Sequence, residues 1–174
     1  MPQKFQLPLA KPSQSDPQQY RVYRMEGESI SAKNYVALPK KSIVRFAKSI
    51  CKIYGIPQVE IHFRNLGQWT AEWMEPNIIT LGRKNNSKGI VTIAHELAHH
   101  LHNSIAGMDK GHQDHGPEYM ACYMSILDTS RIIPVVGMRA ICDSYKIKYA
   151  DPGTKNSLSA LRRAVLGYAS SHPG

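Results

Sequence analysis

The chain has 174 residues, with 22 Lys and Arg against 13 Asp and Glu, a formal net charge of +9. That length suits one domain with its own hydrophobic core, and the positive balance points toward polyanionic partners. No apolar run approaches the roughly 18 residues of a membrane span, and the scattered Cys51, Cys122 and Cys142 argue against a disulfide framework or a cysteine zinc ribbon.

The first residues (MPQKFQLPLAKPSQ) lack the continuous apolar centre of a signal peptide, so a cytoplasmic, intracellular protein with no membrane contact is expected, free or nucleoid-associated. Residues 1–36 are rich in Pro, Gln and Ser and show little periodicity. They are expected to form an extended or partly disordered arm on a domain spanning residues 37–174. Leu38 to Tyr54 reads as an amphipathic helix whose apolar stripe is Ile43, Val44, Ala47, Ile50, Cys51 and Tyr54, ended by Gly55 and Pro57. Lys41, Arg45, Lys48 and Lys52 recur on the opposite face, where a positive stripe is either a solvated surface or a contact for phosphates.

Three strands are predicted next. Gln58–Arg64 alternates through Val59, Ile61 and Phe63, Trp69–Met74 through Trp69, Ala71 and Trp73, and Asn77–Gly82 contributes Ile79 and Leu81. The turns at Asn65–Gly67 and Glu75-Pro76-Asn77 are short, which predicts antiparallel neighbours. The strand Ile78–Leu81 or its neighbour is expected at an edge, where a substrate strand can add.

The apolar run GIVTIAHELAHHL carries His95-Glu96-Leu97-Ala98-His99, an HExxH set on a predicted helix. Positions four apart share a helical face, so His95 and His99 can offer imidazole nitrogens to one Zn2+ ion. Glu96 then stands where a carboxylate acts as general base toward a water. A zinc hydrolase needs a third protein ligand. His102 shares the face but lies about 10 Å from His95 along the axis, and His100 points away. The metzincin pattern would place Gly and His where His102 and Ile105 stand, which excludes that class. The remaining candidates follow the turn of Gly107, Gly111 and Gly116: His112, His115 and Glu118.

HExxH followed by Asp114-His115-Gly116-Pro117-Glu118-Tyr119 resembles the SprT-like (Spartan-type) zinc metalloproteases across roughly Ile90 to Leu127. The resemblance implies zinc held by His95, His99 and His115, Glu96 as catalytic base, a protein or peptide substrate, and proteolysis coupled to DNA. Pro117 suits a first helical turn, with His115 just before it. Glu118 loosely resembles the glutamate ligand of gluzincins such as the ImmA/IrrE-like peptidases, which act on regulators. It otherwise reads as a helix N-terminal acid or a carboxylate supporting the ligands. Many SprT-like proteins add a cysteine-rich ribbon for which this sequence has no counterpart. A third reading is a nucleic-acid-binding protein whose zinc is structural.

After Asp128 two further helices are predicted. One covers Pro134–Tyr145, and the other Ser157–Ser170, capped by Ser157 with Leu158, Leu161, Val165 and Leu166 buried. Tyr145, Tyr149 and Tyr168 are candidate phenol donors to a tetrahedral intermediate, against the alternative of half-buried packing. Arg83, Lys84, Lys88, Arg162 and Arg163 could extend the basic patch for sequence-independent phosphate contact. Together these features predict an α+β, zincin-like fold in which a small antiparallel or mixed sheet packs with helices, the HExxH helix among them.

Overall fold

The computed structural model describes residues 16–31, 37–66, 71–74, 76–82, 88–107, 114–153 and 158–171. Among them the chain is α+β, with six α-helices and a three-stranded mixed sheet. Helix α1 (Gln19–Met25) runs into a π-helical segment, Glu26–Ser31. There follow α2 (Lys40–Tyr54), β1 (Glu60–Arg64), β2 (Ala71–Met74), β3 (Ile78–Gly82), α3 (Ile90–Ala106), α4 (Pro117–Thr129), α5 (Val135–Ser144) and α6 (Leu158–Ser171). No helix among the described residues is long and apolar enough to cross a membrane. Trp69, Arg83, Lys84, His112 and Ser157, with Gly67, Glu75 and Gly111 of the expected turns, lie outside the described residues.

Helix α2 buries Ile43, Ala47, Ile50, Cys51 and Tyr54, while Lys41, Arg45, Lys48 and Lys52 are exposed. Val44 is half-buried beside that charged face. The helix stops because Gly55 adopts the left-handed conformation at φ 60°, which lets the Ile56 N–H return to the Cys51 carbonyl at 3.0 Å. The hydroxyls of Tyr54 and Thr129 share a hydrogen bond of 2.7 Å, tying α2 to the end of α4.

The strand order is β1-β3-β2, with β1 parallel and β2 antiparallel to β3. The expectation that β1 and β2 would pair as antiparallel neighbours is therefore corrected: β3 lies between them, and they form the edges. The physical reason is in the side chains. Ile78-Ile79-Thr80-Leu81 is a nearly continuous apolar run, suited to a strand covered on both faces, and Ile79, Thr80 and Leu81 are all buried. β1 and β2 alternate polar and apolar residues and keep one face toward water.

Helix α4 is the central element. Tyr119 through Leu127 are all buried, as expected of a helix that is apolar around most of its circumference. Pro117 occupies its first turn, where its missing N–H costs no helical bond, and its carbonyl accepts the Ala150 N–H at 2.9 Å. Helix α3 packs against α4, α2, α6 and β2. Cys51, Cys122 and Cys142 are buried free thiols.

The extended arm expected over residues 1–36 is corrected for residues 19–31, which are helical. A helix of seven residues is marginal alone and gains its stability from packing, so its periodicity is brief. Val22, Met25 and Ile30 enter the main core. The Gln18 side-chain amide donates to the carbonyls of His115 at 2.6 Å and Lys148 at 3.1 Å, and its oxygen accepts the Lys148 N–H at 3.0 Å. Arg21 donates to the Lys146 carbonyl at 2.8 Å.

Leu166, expected in the buried face of α6, is instead 48% exposed, while Leu161 and Val165 are 1% and 0% exposed. Each residue turns the helix by about 100°, so Leu166 cannot share the seam that Val165 occupies. Leu161→Ala is expected to lower unfolding stability by about 2–5 kcal/mol, and Leu166→Ala by less than about 0.5 kcal/mol, in urea titrations of the two variants.

Candidate metal centre

His95 and His99 lie one turn apart on α3, and His115 reaches them from the turn that Gly116 and Pro117 close at the start of α4. One nitrogen of each imidazole falls within 4.8 Å of the others, which makes these residues a group able to hold a metal ion. The Nε2 atom of His95 is 3.2 Å from Nε2 of His99 and 3.1 Å from Nε2 of His115. Tetrahedral ligation at the usual zinc–nitrogen bond length would separate neighbouring nitrogens by about 3.3–3.4 Å, close to what is observed.

Two carboxylates set the direction of these rings. Glu26 Oε1 accepts from His95 Nδ1 at 2.7 Å, and Asp16 Oδ2 accepts from His115 Nδ1 at 2.5 Å. With Nδ1–H committed to a carboxylate, each Nε2 presents its lone pair to the common point. A proton on His95 Nε2 can bridge only one of its two short contacts. A metal ion answers both, so the donor set fits a cation.

The electrostatics agree with that use. Burial holds His99 well below the usual imidazole range, reinforced by His95 and His115. Burial also lowers His115, with the Asp16 hydrogen bond pulling the other way. Neutral imidazole is the ligating form. His95 feels the same burial, but the adjacent Glu26 carboxylate outweighs it and moves its pKa upward.

Glu96 is buried on α3, and its carboxyl is pushed up to about 7, chiefly by burial; the positive field of His95 and a hydrogen bond from the Trp73 backbone N–H oppose the rise. A carboxyl that is neither firmly ionised nor firmly protonated near neutrality can both take and return a proton. Trp73 belongs to β2, so the sheet edge and Glu96 are tied together.

Aromatic rings wall the site. Tyr119 lies 4.5 Å from the His99 ring and 5.0 Å from that of His115, between ring centres, and Tyr123 lies 6.0 Å from His95. Tyr23 of α1 stacks on His95 at 5.5 Å and meets His115 edge-on at 5.1 Å. The three tyrosines proposed from sequence are elsewhere. The Tyr145 hydroxyl bonds Glu28 and Ser29, both at 2.9 Å, and that of Tyr149 donates to Asp143 at 3.4 Å. Tyr168 is on α6, and the rings against the site histidines are those of Tyr23, Tyr119 and Tyr123 among the described residues.

His100 turns away, its Nε2–H donating to the Pro57 carbonyl at 2.8 Å. His102 is buried on α3 outside the metal group, and His112 lies outside the described residues. Glu118 is a buried acid in the first turn of α4, its field acting on Cys122 one turn on, and it is not in the metal group. The carboxylates that hold the histidines are Asp16 and Glu26, which sequence reasoning missed together with Tyr23. The available signal was small: Asp16-Pro17 as a helix start, then Val22 and Met25 three apart. Comparison with family models, with curated proteins and with solved structures found no match.

His115→Ala should abolish tight metal binding. Glu26→Gln and Asp16→Asn should each weaken it by about 10–100-fold, since an amide cannot hold the imidazole N–H as a carboxylate does. Glu118→Gln should leave it unchanged. Chelator competition on the four purified variants measures this directly.

Proposed function

We propose that this chain is a zinc-dependent metalloendopeptidase of SprT-like type with a small zincin-like domain. The observation that carries the reading is the convergence of His95, His99 and His115 on one point, with Glu96 one residue from the first of them. Three protein ligands among the described residues, beside a buried carboxyl, support catalytic over purely structural use, since structural zinc is closed by four.

A zinc ion held by the three histidines would supply a Lewis acid that polarises a peptide carbonyl and acidifies a water. Glu96 takes the proton of the attacking water and passes it to the leaving nitrogen. The Trp73 backbone N–H holds the Glu96 carboxylate in position. β2 pairs only with β3 among the described residues, and it packs on α3. A substrate strand added to its outer side would run along the helix that carries Glu96.

The substrate in this reading is a protein bound or crosslinked to DNA. Lys41, Arg45, Lys48 and Lys52 line one shallow surface groove of α2 with Val44 and Ser49, a layout suited to sequence-independent phosphate contact.

Glu96→Gln should retain zinc and fold while cleavage of an unstructured protein falls by at least about 100-fold, measured by metal analysis and a gel-based digestion. Undiminished cleavage would remove the peptidase reading. Reversing Lys41, Arg45, Lys48 and Lys52 to Glu should weaken DNA binding and flatten its dependence on salt, with little effect on zinc content. Fluorescence anisotropy across a salt series tests it, and unchanged binding would leave the stripe a solvated face.

A further inference from the structure

We propose that Tyr23 donates a hydrogen bond to the oxygen that gains negative charge when the scissile carbonyl is attacked. This assignment rests on the peptidase reading above and deepens it.

Tyr23 lies against two of the three site histidines, stacked on His95 and edge-on to His115. Its position differs from those of the other rings there. Tyr119 and Tyr123 are completely buried, and the Tyr119 hydroxyl faces the His95 carbonyl at 3.5 Å. Tyr23 is only partly buried, so its ring borders both the ligand cluster and the solvent from which a substrate arrives. Gln19, one turn earlier on α1, hydrogen-bonds to the Tyr23 hydroxyl. When the Gln19 amide N–H donates, the phenol oxygen is the acceptor, and the phenol's own hydrogen remains to be given.

The chemistry balances without any further reagent. A water oxygen bonds to the carbonyl carbon, the C=O π pair moves onto the carbonyl oxygen, and a water proton goes to Glu96. When the C–N bond breaks, the oxygen's pair re-forms C=O and the Glu96 proton passes to the leaving nitrogen. Tyr23 keeps its proton throughout. Its hydrogen bond strengthens as charge builds on the oxygen, so it favours the transition state over the bound substrate.

The test uses the zinc-loaded full chain and its Tyr23→Phe variant, which loses one oxygen and keeps the ring. Zinc content and melting temperature should match the native protein. For a peptide substrate, kcat should fall by about 100-fold with KM changed only a few-fold. A phosphinic peptide, whose tetrahedral anion mimics the charged intermediate, should bind more weakly by a similar factor in calorimetry. Equal phosphinate affinity in the two proteins would overturn the assignment. So would a loss of zinc that accounts for the loss of activity, which would reduce Tyr23 to a packing residue. Should native protein bind the phosphinate but cleave no peptide, the peptidase reading fails, while the affinity ratio still decides the role of Tyr23. Binding by neither protein overturns both.

Discussion

The centre of this molecule depends on two carboxylate–imidazole hydrogen bonds, Glu26 to His95 and Asp16 to His115. Each fixes a ring's tautomer and rotation together, and so decides where its Nε2 lone pair points. Without them a buried imidazole could turn its donor toward the cluster as readily as its acceptor. The carboxylates can serve only if their segment is itself fixed. Val22, Met25 and Ile30 anchor it in the core, and Gln18 bonds the carbonyl of His115, the residue that Asp16 holds. Folding of the N-terminal helix and assembly of the metal group are therefore one event, drawing on residues 16–26, 95–99 and 115.

Such a site is expensive to bury. Asp16, Glu26 and Glu96 bring three carboxyl groups close to three imidazoles in a region largely shut off from water. The carboxyl of Glu96 is moved upward first by burial, with Glu26 adding to the rise and His95 opposing it. A divalent cation at the Nε2 atoms would offset the carboxylates' charge, and the local acidity would then follow the ion. The π-helical segment that begins at Glu26 belongs to the same arrangement. π-helical turns are rare and frequently accompany functional sites.

How much of this could be read from sequence follows from how local each signal is. The meeting of His95 and His99 was legible because their spacing is the helical repeat itself. His115 was legible only through a motif, since no spacing rule carries the chain across the turn before α4. Asp16, Tyr23 and Glu26 were not legible. Their roles come from partners 69 to 99 residues away for the two acids, and their helix is too short to announce itself. The sheet order was misread for a different reason. Short turns suggested neighbouring strands, but the unbroken apolar run of β3 required the central position, and that requirement prevailed. Leu166 illustrates the limit of a hydrophobic count, because a helix face is narrower than the set of apolar residues on offer.

Helix α3 also constrains how a DNA contact could influence proteolysis in the proposed reading. α2 packs on α3 through its apolar stripe, so its exposed lysines and arginine face away from the helix that carries the metal group. Phosphates bound there would be separated from His95 and Glu96 by the thickness of a helix, roughly 10 Å. At that distance a bound phosphate makes no direct contact with either residue. The DNA contact would then act by tethering, raising the local concentration of DNA-bound substrate near the β2 edge. The acid–base chemistry itself would remain the property of α1, α3 and α4.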